Sequence, residues 1–153
     1  MAILATLCYL KKENQTLMLY RNKKKDDIHE GKYNGLGGKL KAGETPEECA
    51  KREIWEESGL NAEKLLLKGI ITFPKFDGKN DWYVFVYLVP KFNGTIIDSP
   101  EGRLEWVEDS NLNDIRLWEG DYIFMPWLHN DCFFSAKFTY KEGKLKSHRV
   151  EFY

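Results

Sequence analysis

Residues 38–60 of the chain, GKLKAGETPEECAKREIWEESGL, place Glu53, Glu56 and Glu57 within five positions, directly after a glycine-rich turn. An α-helix advances about 100° per residue, so the three side chains fall within roughly 100° of one face. Like charges at this spacing repel, and each pair costs an isolated helix about 0.2–0.5 kcal/mol. A divalent cation offsets the repulsion, and carboxylate oxygens favour Mg²⁺ or Mn²⁺ over softer metals. The alternative is a solvated glutamate-rich helix face, which is common on protein surfaces.

The same stretch predicts a helix from about Pro46 to Ser58, preceded by a loop. Thr45 is a favourable N-cap, Pro46 suits the first helical position, and Glu48 completes a capping box with Thr45. Gly59 suits the left-handed residue that ends a helix.

Glycines ahead of the helix allow the backbone to approach a phosphate or a metal ion closely; they are Gly35, Gly37, Gly38 and Gly43. Arg52 adds a cation four residues before Glu56. We expect it to orient Glu56 or Glu44 through a salt bridge rather than to contact a substrate.

The spacing of the charged residues resembles a known signature. Fixed positions are matched by Gly38, Glu44, Arg52-Glu53-Ile54, Glu56-Glu57 and Gly59-Leu60. On these residues the chain is similar to the Nudix hydrolases. The resemblance implies an α/β fold, an αβα sandwich with a central mixed β-sheet flanked by helices, and we expect one such domain over residues 1–153.

The remaining sequence agrees with alternating strands and helices. Strands are predicted over residues 3–10, 16–21, 62–73, 82–89 and 103–107, and a helix over 119–130. Residues 82–89 are nearly all β-formers, which suits a buried central strand. Turns are predicted at Lys11 to Gln15 and at Asn93-Gly94, and a terminal hairpin over 132–153 around Glu142-Gly143.

Composition limits the partners. The formal charge of −1 gives no sign of a general nucleic-acid surface, so long duplex DNA is not expected to bind. The first residues are too short an apolar run for a signal peptide or a membrane span. Three cysteines without metal-ligand spacing indicate reduced thiols in a cytoplasmic protein. We expect a monomer or weak dimer that acts on a small molecule.

The resemblance also implies a catalytic centre. Glu53, Glu56 and Glu57 would hold Mg²⁺, with Mn²⁺ as an alternative, helped by the backbone carbonyl of Gly37. Glu53 and Glu56 are both candidates for the base, and Arg52 belongs to the same catalytic group. A later loop offers Glu101 as a further metal ligand. The alternatives there are a surface turn residue at 101 or a ligand at Glu105.

Two further segments resemble the oxidised purine nucleoside triphosphatases within that family. Residues 34–39 match the segment in which an asparagine, here Asn34, hydrogen-bonds the base, although Asn34-Gly35 is also an ordinary turn pair. Residues 118–126 match a segment in which a tryptophan stacks on the base and two acidic residues bind its polar edge. Trp118 and Asp121 fit that pattern, whereas Gly120 stands where the pattern has the first of the two acids. Trp118 is equally compatible with a place in the core.

A substrate-contacting lysine of that subfamily aligns with either Lys23 or Lys24. The expected function is therefore a Mg²⁺-dependent nucleoside triphosphate pyrophosphohydrolase that converts 8-oxo-dGTP to its monophosphate and pyrophosphate, which would sanitise the nucleotide pool. The alternatives are hydrolysis of a nucleotide sugar, a dinucleoside polyphosphate or a capped RNA, and a non-catalytic ligand-binding module with the same fold.

Overall fold

The computed structural model describes all residues from 1 to 153. Its eight strands are β1 (Ala2–Lys12), β2 (Gln15–Tyr20), β3 (Tyr33–Asn34), β4 (Leu60–Phe73), β5 (Asp81–Gly94), β6 (Arg103–Glu108), β7 (Phe134–Lys141) and β8 (Lys144–Phe152). The helices are α1 (Pro46–Ser58) and α2 (Glu119–Phe124), with 3₁₀ segments at Asp109–Asp114 and Met125–His129. The longest helix, α1, has 13 residues, and no helix has the length and apolar character needed to cross a membrane.

The strands form a mixed sheet in the order β3-β2-β1-β5-β4-β7-β8, with β6 paired to β2. The β1–β5 and β4–β7 pairs are parallel and the others are antiparallel. Strand β5 lies between β1 and β4, which confirms the central strand predicted from its β-forming run. The C-terminal hairpin joins the same sheet through β7, and we therefore propose that residues 1–153 form one domain.

Alternating side chains of the central strands fill two apolar layers, one on each face of the sheet. On β1, Ala5 and Tyr9 belong to the layer that α2 and the following 3₁₀ segment cover, whereas Cys8 and Leu10 face α1. Such alternation follows from the two-residue period of a strand. Helices therefore flank a mixed sheet, as expected for the αβα sandwich.

The helix α1 begins and ends where the sequence predicts. Thr45 Oγ1 accepts a hydrogen bond from Glu48 N at 3.0 Å, and Glu48 Oε1 accepts one from Thr45 N at 2.9 Å. Gly59 closes the helix with φ 79°, and its N–H donates to Trp55 O at 2.8 Å. Ala50 and Ile54 are buried against the sheet, which fixes the orientation of α1. Glu57 is buried next to this apolar stripe, Glu53 is half-buried and Glu56 is exposed.

The glycine-rich turn lies directly against β1. Thr6 N donates to Gly38 O at 2.9 Å, and Cys8 and Leu36 exchange backbone hydrogen bonds of 2.6 and 2.9 Å. Gly37 has φ +148°, and a Cβ there would lie 2.1 Å from Thr6 O. Only glycine fits at this position, because any side chain would collide with backbone.

Three details of the predicted elements are wrong. The helix expected over 119–130 is α-helical only to Phe124 and continues as a 3₁₀ turn, because Pro126 lacks the N–H that a longer α-helix needs. Asn93-Gly94 is not a turn but the end of β5, where Gly94 pairs with Leu60. The turn between β1 and β2 is also shorter than expected, since β1 extends to Lys12 and β2 starts at Gln15.

Replacing Thr45 with alanine should lower the free energy of unfolding by about 1 kcal/mol, because the N-cap hydrogen bond to Glu48 N is lost. Chemical denaturation followed by circular dichroism measures the change. Thr95→Ala is the matched control: Thr95 is exposed in an irregular segment, so its effect should stay within about 0.5 kcal/mol. Equal effects of the two substitutions would contradict the capping role.

Candidate active site

The three glutamates of α1 differ in exposure. Glu57 is buried, and its Oε1 accepts a hydrogen bond from Gly37 N at 2.8 Å. Glu53 is half-buried beside Gly38, where a Cβ would come within 2.6 Å of the Glu53 carboxyl carbon. Glu56 is exposed, with 46% of its side chain accessible. The glycines therefore let the turn lie on top of the acidic face of the helix.

Arg52 holds the acidic face to the loop before it. Its Nε and Nη2 donate to Glu44 at 2.6 and 2.9 Å in a two-point contact, and Nη2 also donates to Lys39 O at 3.1 Å. Its Nη1 donates to Glu53 at 2.7 Å and to Glu56 at 3.3 Å. The expected salt bridge is therefore present. Paired two-point contacts of this kind are among the stronger hydrogen bonds in proteins.

Burial and neighbouring charges shift the acidic groups in opposite directions. Hydrogen bonds from Arg52 hold the pKa of Glu44 at about 2. Burial raises the pKa of Glu57 to about 8, with the charge of Glu53 acting in the same direction. Burial also raises the pKa of Glu53, to which the charges of Glu56 and Glu101 add. The carboxylates of α1 thus interact with one another and with the loop that carries Glu101.

Glu101 lies on the loop before β6 and faces the helix. Its Oε1 is 2.9 Å from Lys24 Nζ, and its Oε2 is 3.4 Å from Arg21 Nη2. Oε2 is buried and accepts no hydrogen bond. Lys23 is directed elsewhere, to Asp98 Oδ1 and Ser99 O, both at 2.7 Å.

A cavity of about 180 Å³ begins at the glycine-rich turn and extends away from α1. Gly37, Gly38 and Arg21 line one part of it, and Asn34, Trp118 and Asp121 line another. Small-molecule sites usually measure roughly 300–1,000 Å³, so this cavity suits a ring system rather than a whole nucleotide. Asn34 Nδ2 is buried there without a hydrogen-bond partner, so it is free to donate to a ligand in the cavity.

Aromatic side chains surround Trp118 and fix its ring. The Trp118 Nε1 donates to His29 Nδ1 at 2.8 Å, and burial lowers the pKa of His29 to about 4, so this acceptor is unprotonated at neutral pH. Phe76 and Tyr140 pack on the indole with centroids at 5.0 and 5.4 Å. The Lys32 ammonium lies 4.5 Å from the ring centroid and does not line the cavity. Only 6% of the Trp118 residue is exposed, so Trp118 is part of the core and also lines the cavity.

A comparison with models of protein families identifies the family of this chain. Residues 1–128 match the model of the NUDIX domain. The chain is a member of the Nudix family. Hydrolysis of nucleoside triphosphates or related pyrophosphates is the activity of this family, and its hydrolases generally use divalent metal cations.

Individual Nudix relatives agree with the family match. An oxidized purine nucleoside triphosphate hydrolase of Mus musculus is 33% identical over 119 residues, which cover 78% of this chain and 76% of the relative. An ADP-ribose pyrophosphatase of Methanocaldococcus jannaschii is 30% identical over 121 residues, covering 77% and 70%. The crystal structure of a mutator MutT protein from Bacillus halodurans superimposes with a TM-score of 0.86 at 31% identity over 97% of both chains.

The donor atoms fit a divalent cation, although they are not gathered in one cluster. No three His, Cys, Asp or Glu side chains form a ready-made metal site, and Arg52 Nη1 bonds to both Glu53 and Glu56. Glu57 is nevertheless a buried carboxyl group with few compensating charges, and Glu101 Oε2 is a buried acceptor without a hydrogen bond. Both observations fit a bound cation with oxygen ligands. Those ligands would be Glu53, Glu56, Glu57 and Glu101, with the Gly37 carbonyl.

The predicted residues fall into two groups in the structure. Around the turn and α1 lie Gly37, Arg52, Glu53, Glu56, Glu57, Glu101 and Lys24, and in the cavity lie Asn34, Trp118 and Asp121. Lys23 belongs to neither group. Glu105 bonds to Tyr33 Oη at 2.7 Å and is exposed, so it is the weaker choice for the loop carboxylate.

Sequence reasoning missed several residues that line the cavity: Arg21, His29, Phe73, Phe76, Trp82 and Tyr140. They come from separate segments of the chain and share no spacing that links them. Arg21 stands next to the Lys23–Lys25 run, which was the one available signal.

Replacing Asp121 with asparagine should make stability less dependent on pH. Burial raises the pKa of Asp121 to about 8, against about 3.8 in an unfolded chain. Between these values the folded state keeps a proton that the unfolded state has released, so wild-type stability falls as pH rises. The free energy of unfolding of the wild type should therefore fall relative to the variant by up to about 1.4 kcal/mol per pH unit in that window.

Urea denaturation at pH 6, 7 and 8 tests this expectation. His29, whose low folded pKa has the opposite effect on stability, is present in both proteins and cancels in the difference. A difference between the two proteins that does not change with pH would contradict it.

Proposed function

We propose that this Nudix hydrolase is a Mg²⁺-dependent pyrophosphohydrolase that converts oxidised purine nucleoside triphosphates, 8-oxo-dGTP above all, to the monophosphate and pyrophosphate. The observation that carries the proposal is the single cavity that joins the glycine-rich turn, beside the acidic helix, to Asn34, Trp118 and Asp121. A purine ring in the cavity leaves its phosphates at the turn, next to the carboxylates of α1. The name of the mouse relative points to the same substrate class.

The acidic face provides the chemistry in this proposal. Glu53 and Glu56 lie beside each other under the Arg52 guanidinium, and either carboxylate could accept the proton of the attacking water. A bound Mg²⁺ would neutralise phosphate oxygens and lower the pKa of a coordinated water. Arg21 and Lys24 stand beside Glu101, where their charges favour a triphosphate chain.

The far part of the cavity provides base recognition. The Asn34 amide offers both a donor and an acceptor to a base edge, and its Nδ2 has no protein partner. Asp121 is buried at the cavity wall with its pKa at about 8, so it is a neutral acid at pH 7 and can donate as well as accept. The proposed place of action is the cytoplasm, where the nucleotide pool lies and where Cys8 and Cys49 would stay reduced.

A second candidate substrate is a nucleoside diphosphate derivative such as ADP-ribose. The match to the archaeal ADP-ribose pyrophosphatase favours it, because the shared signature determines the reaction and leaves the group beyond the diphosphate open.

A substrate panel separates the two candidates. With Mg²⁺ present, kcat/KM for 8-oxo-dGTP should exceed those for dGTP, ADP-ribose and a dinucleoside polyphosphate, and should exceed that for dGTP by more than tenfold. Chromatography of the products measures all four reactions. Faster cleavage of ADP-ribose, or a preference below tenfold over dGTP, would remove the sanitising function from first place.

Replacing Glu56 with glutamine tests whether the acidic face is catalytic. The carboxylate is exposed, so the fold should survive while kcat on the best substrate falls by at least about 100-fold. Glu63→Gln is the matched control, because Glu63 bonds to Asn93 on β5, away from α1, and its loss should leave kcat within twofold. A fall of less than tenfold for Glu56→Gln would favour a ligand-binding module instead.

A further inference from the structure

Gly120 does not line the cavity itself but stands between two residues that do: Asp121 follows it in the chain, and Tyr140 contacts it. A Cβ at this position would lie 2.7 Å from Tyr140 Oη and 2.8 Å from Phe138 Cδ1. Gly120 does not have a positive φ, so space and not backbone conformation excludes a side chain. The Tyr140 hydroxyl occupies the space that a residue-120 side chain would take, and it accepts a hydrogen bond from Gly120 N at 2.6 Å.

The Tyr140 ring is held firmly in this position. It packs edge-on against Trp118 and Phe76, with centroids 5.4 and 5.6 Å apart and interplanar angles of 84° and 83°. Tyr140 lies on β7 and Asp121 on α2, and the bond from Gly120 N to the Tyr140 hydroxyl joins the two elements at this point. Tyr140 is thus a fixed part of the cavity wall, and its hydroxyl is held next to Asp121 by the bond to Gly120 N.

The Tyr140 hydroxyl is available to a ligand as a donor. One lone pair is used by the Gly120 N–H, and the O–H proton is not donated to any protein group. Burial raises the pKa of Tyr140 above its ordinary value, so the proton stays in place at neutral pH. A hydroxyl in this state matches an acceptor such as a carbonyl oxygen better than it matches an amino group.

We propose that Tyr140 determines base specificity, its hydroxyl and Asp121 together contacting the polar edge of a 6-oxopurine in preference to a 6-aminopurine. This inference rests on the proposed function, because it assumes that a purine ring enters the cavity. Guanine-type bases present an acceptor oxygen at position 6, whereas adenine-type bases present a donor. Tyr140 and Gly120 form one unit: the hydroxyl takes the place of an acidic side chain on α2, and the absent side chain makes room for it.

Tyr140→Phe tests the inference with dITP and dATP, whose bases differ at position 6. The ring contacts remain, and the loss of one neutral hydrogen bond should lower kcat/KM for dITP about threefold to tenfold, mainly through KM. The value for dATP should change by less than twofold, so the dITP to dATP ratio falls. The 8-oxo-dGTP value should fall with that for dITP.

Tyr122→Phe is the matched control. The Tyr122 hydroxyl lies on α2 but donates to Ile115 O at 2.6 Å and does not line this cavity, so its removal should leave the dITP to dATP ratio unchanged. Gly120→Ala is a second variant, since its Cβ would displace the Tyr140 hydroxyl while the tyrosine stays, and it should lower the same ratio.

The outcomes separate the two proposals. A wild-type protein that cleaves none of the nucleoside triphosphates would overturn the proposed function. A wild-type protein that cleaves them, together with equal losses for dITP and dATP in Tyr140→Phe, would leave the function standing and overturn the specificity role. Thermal denaturation of each variant confirms that the comparison is made on folded protein.

Discussion

The close approach of the glycine-rich turn to β1 is the constraint on which the rest of the site depends. Gly37 lies so near Thr6 O that no Cβ can be accommodated, and the turn is bonded to β1 on one side and to Glu57 on the other. The turn thereby connects the central sheet with the acidic face of α1. Because both neighbours are rigid elements, the Gly37 N–H and carbonyl have fixed directions, which a metal or phosphate site requires.

The electrostatics of the site follow from this arrangement. Packing the turn over α1 removes Glu57 from water, and an ionised carboxylate in that position is costly without a positive charge nearby. The cations near the site are already paired: Arg52 with Glu44 and Glu53, Lys24 with Glu101, and Arg21 with Asp27 and Glu101. The protein therefore keeps an excess of buried and half-buried carboxyl groups that a divalent cation could balance. Such an arrangement gives up some stability of the free protein in favour of binding.

The parts of the structure that the sequence revealed are those with local causes. The bounds of α1 follow from Thr45, Glu48 and Gly59, which act within one turn of the helix. The terminal hairpin follows from Glu142-Gly143, two residues with positive φ that suit a tight turn between strands. The turn predicted at Asn93-Gly94 was wrong because the conformation there has a non-local cause: Gly94 continues β5 by pairing with Leu60.

The cavity was the least predictable part for the same reason. Asn34, Trp118 and Asp121 were expected because they lie in segments that resemble a known subfamily. Their neighbours could not be expected, because Trp118 bonds to His29, 89 positions earlier in the chain. No period or spacing in a single sequence encodes contacts of that kind, which arise only when the sheet brings its loops together.

Chemistry and base choice depend on different parts of the fold, and this separation explains why family membership leaves the substrate open. The acidic helix and its turn form one continuous segment of the chain, and the reaction depends on the residues of that segment acting together. The residues that line the cavity come from β1, β3, β4, β5, β7, α2 and the loops between them, and none lies on α1, so one position can change there without disturbing α1. Gly120 and Tyr140 illustrate the point: they are 20 residues apart in the chain, and the Tyr140 hydroxyl fills the space that a side chain at position 120 would take. Under the proposed function, a neutral Tyr140 donor next to Asp121 would select the base edge, while the carboxylates of α1 stay where they are.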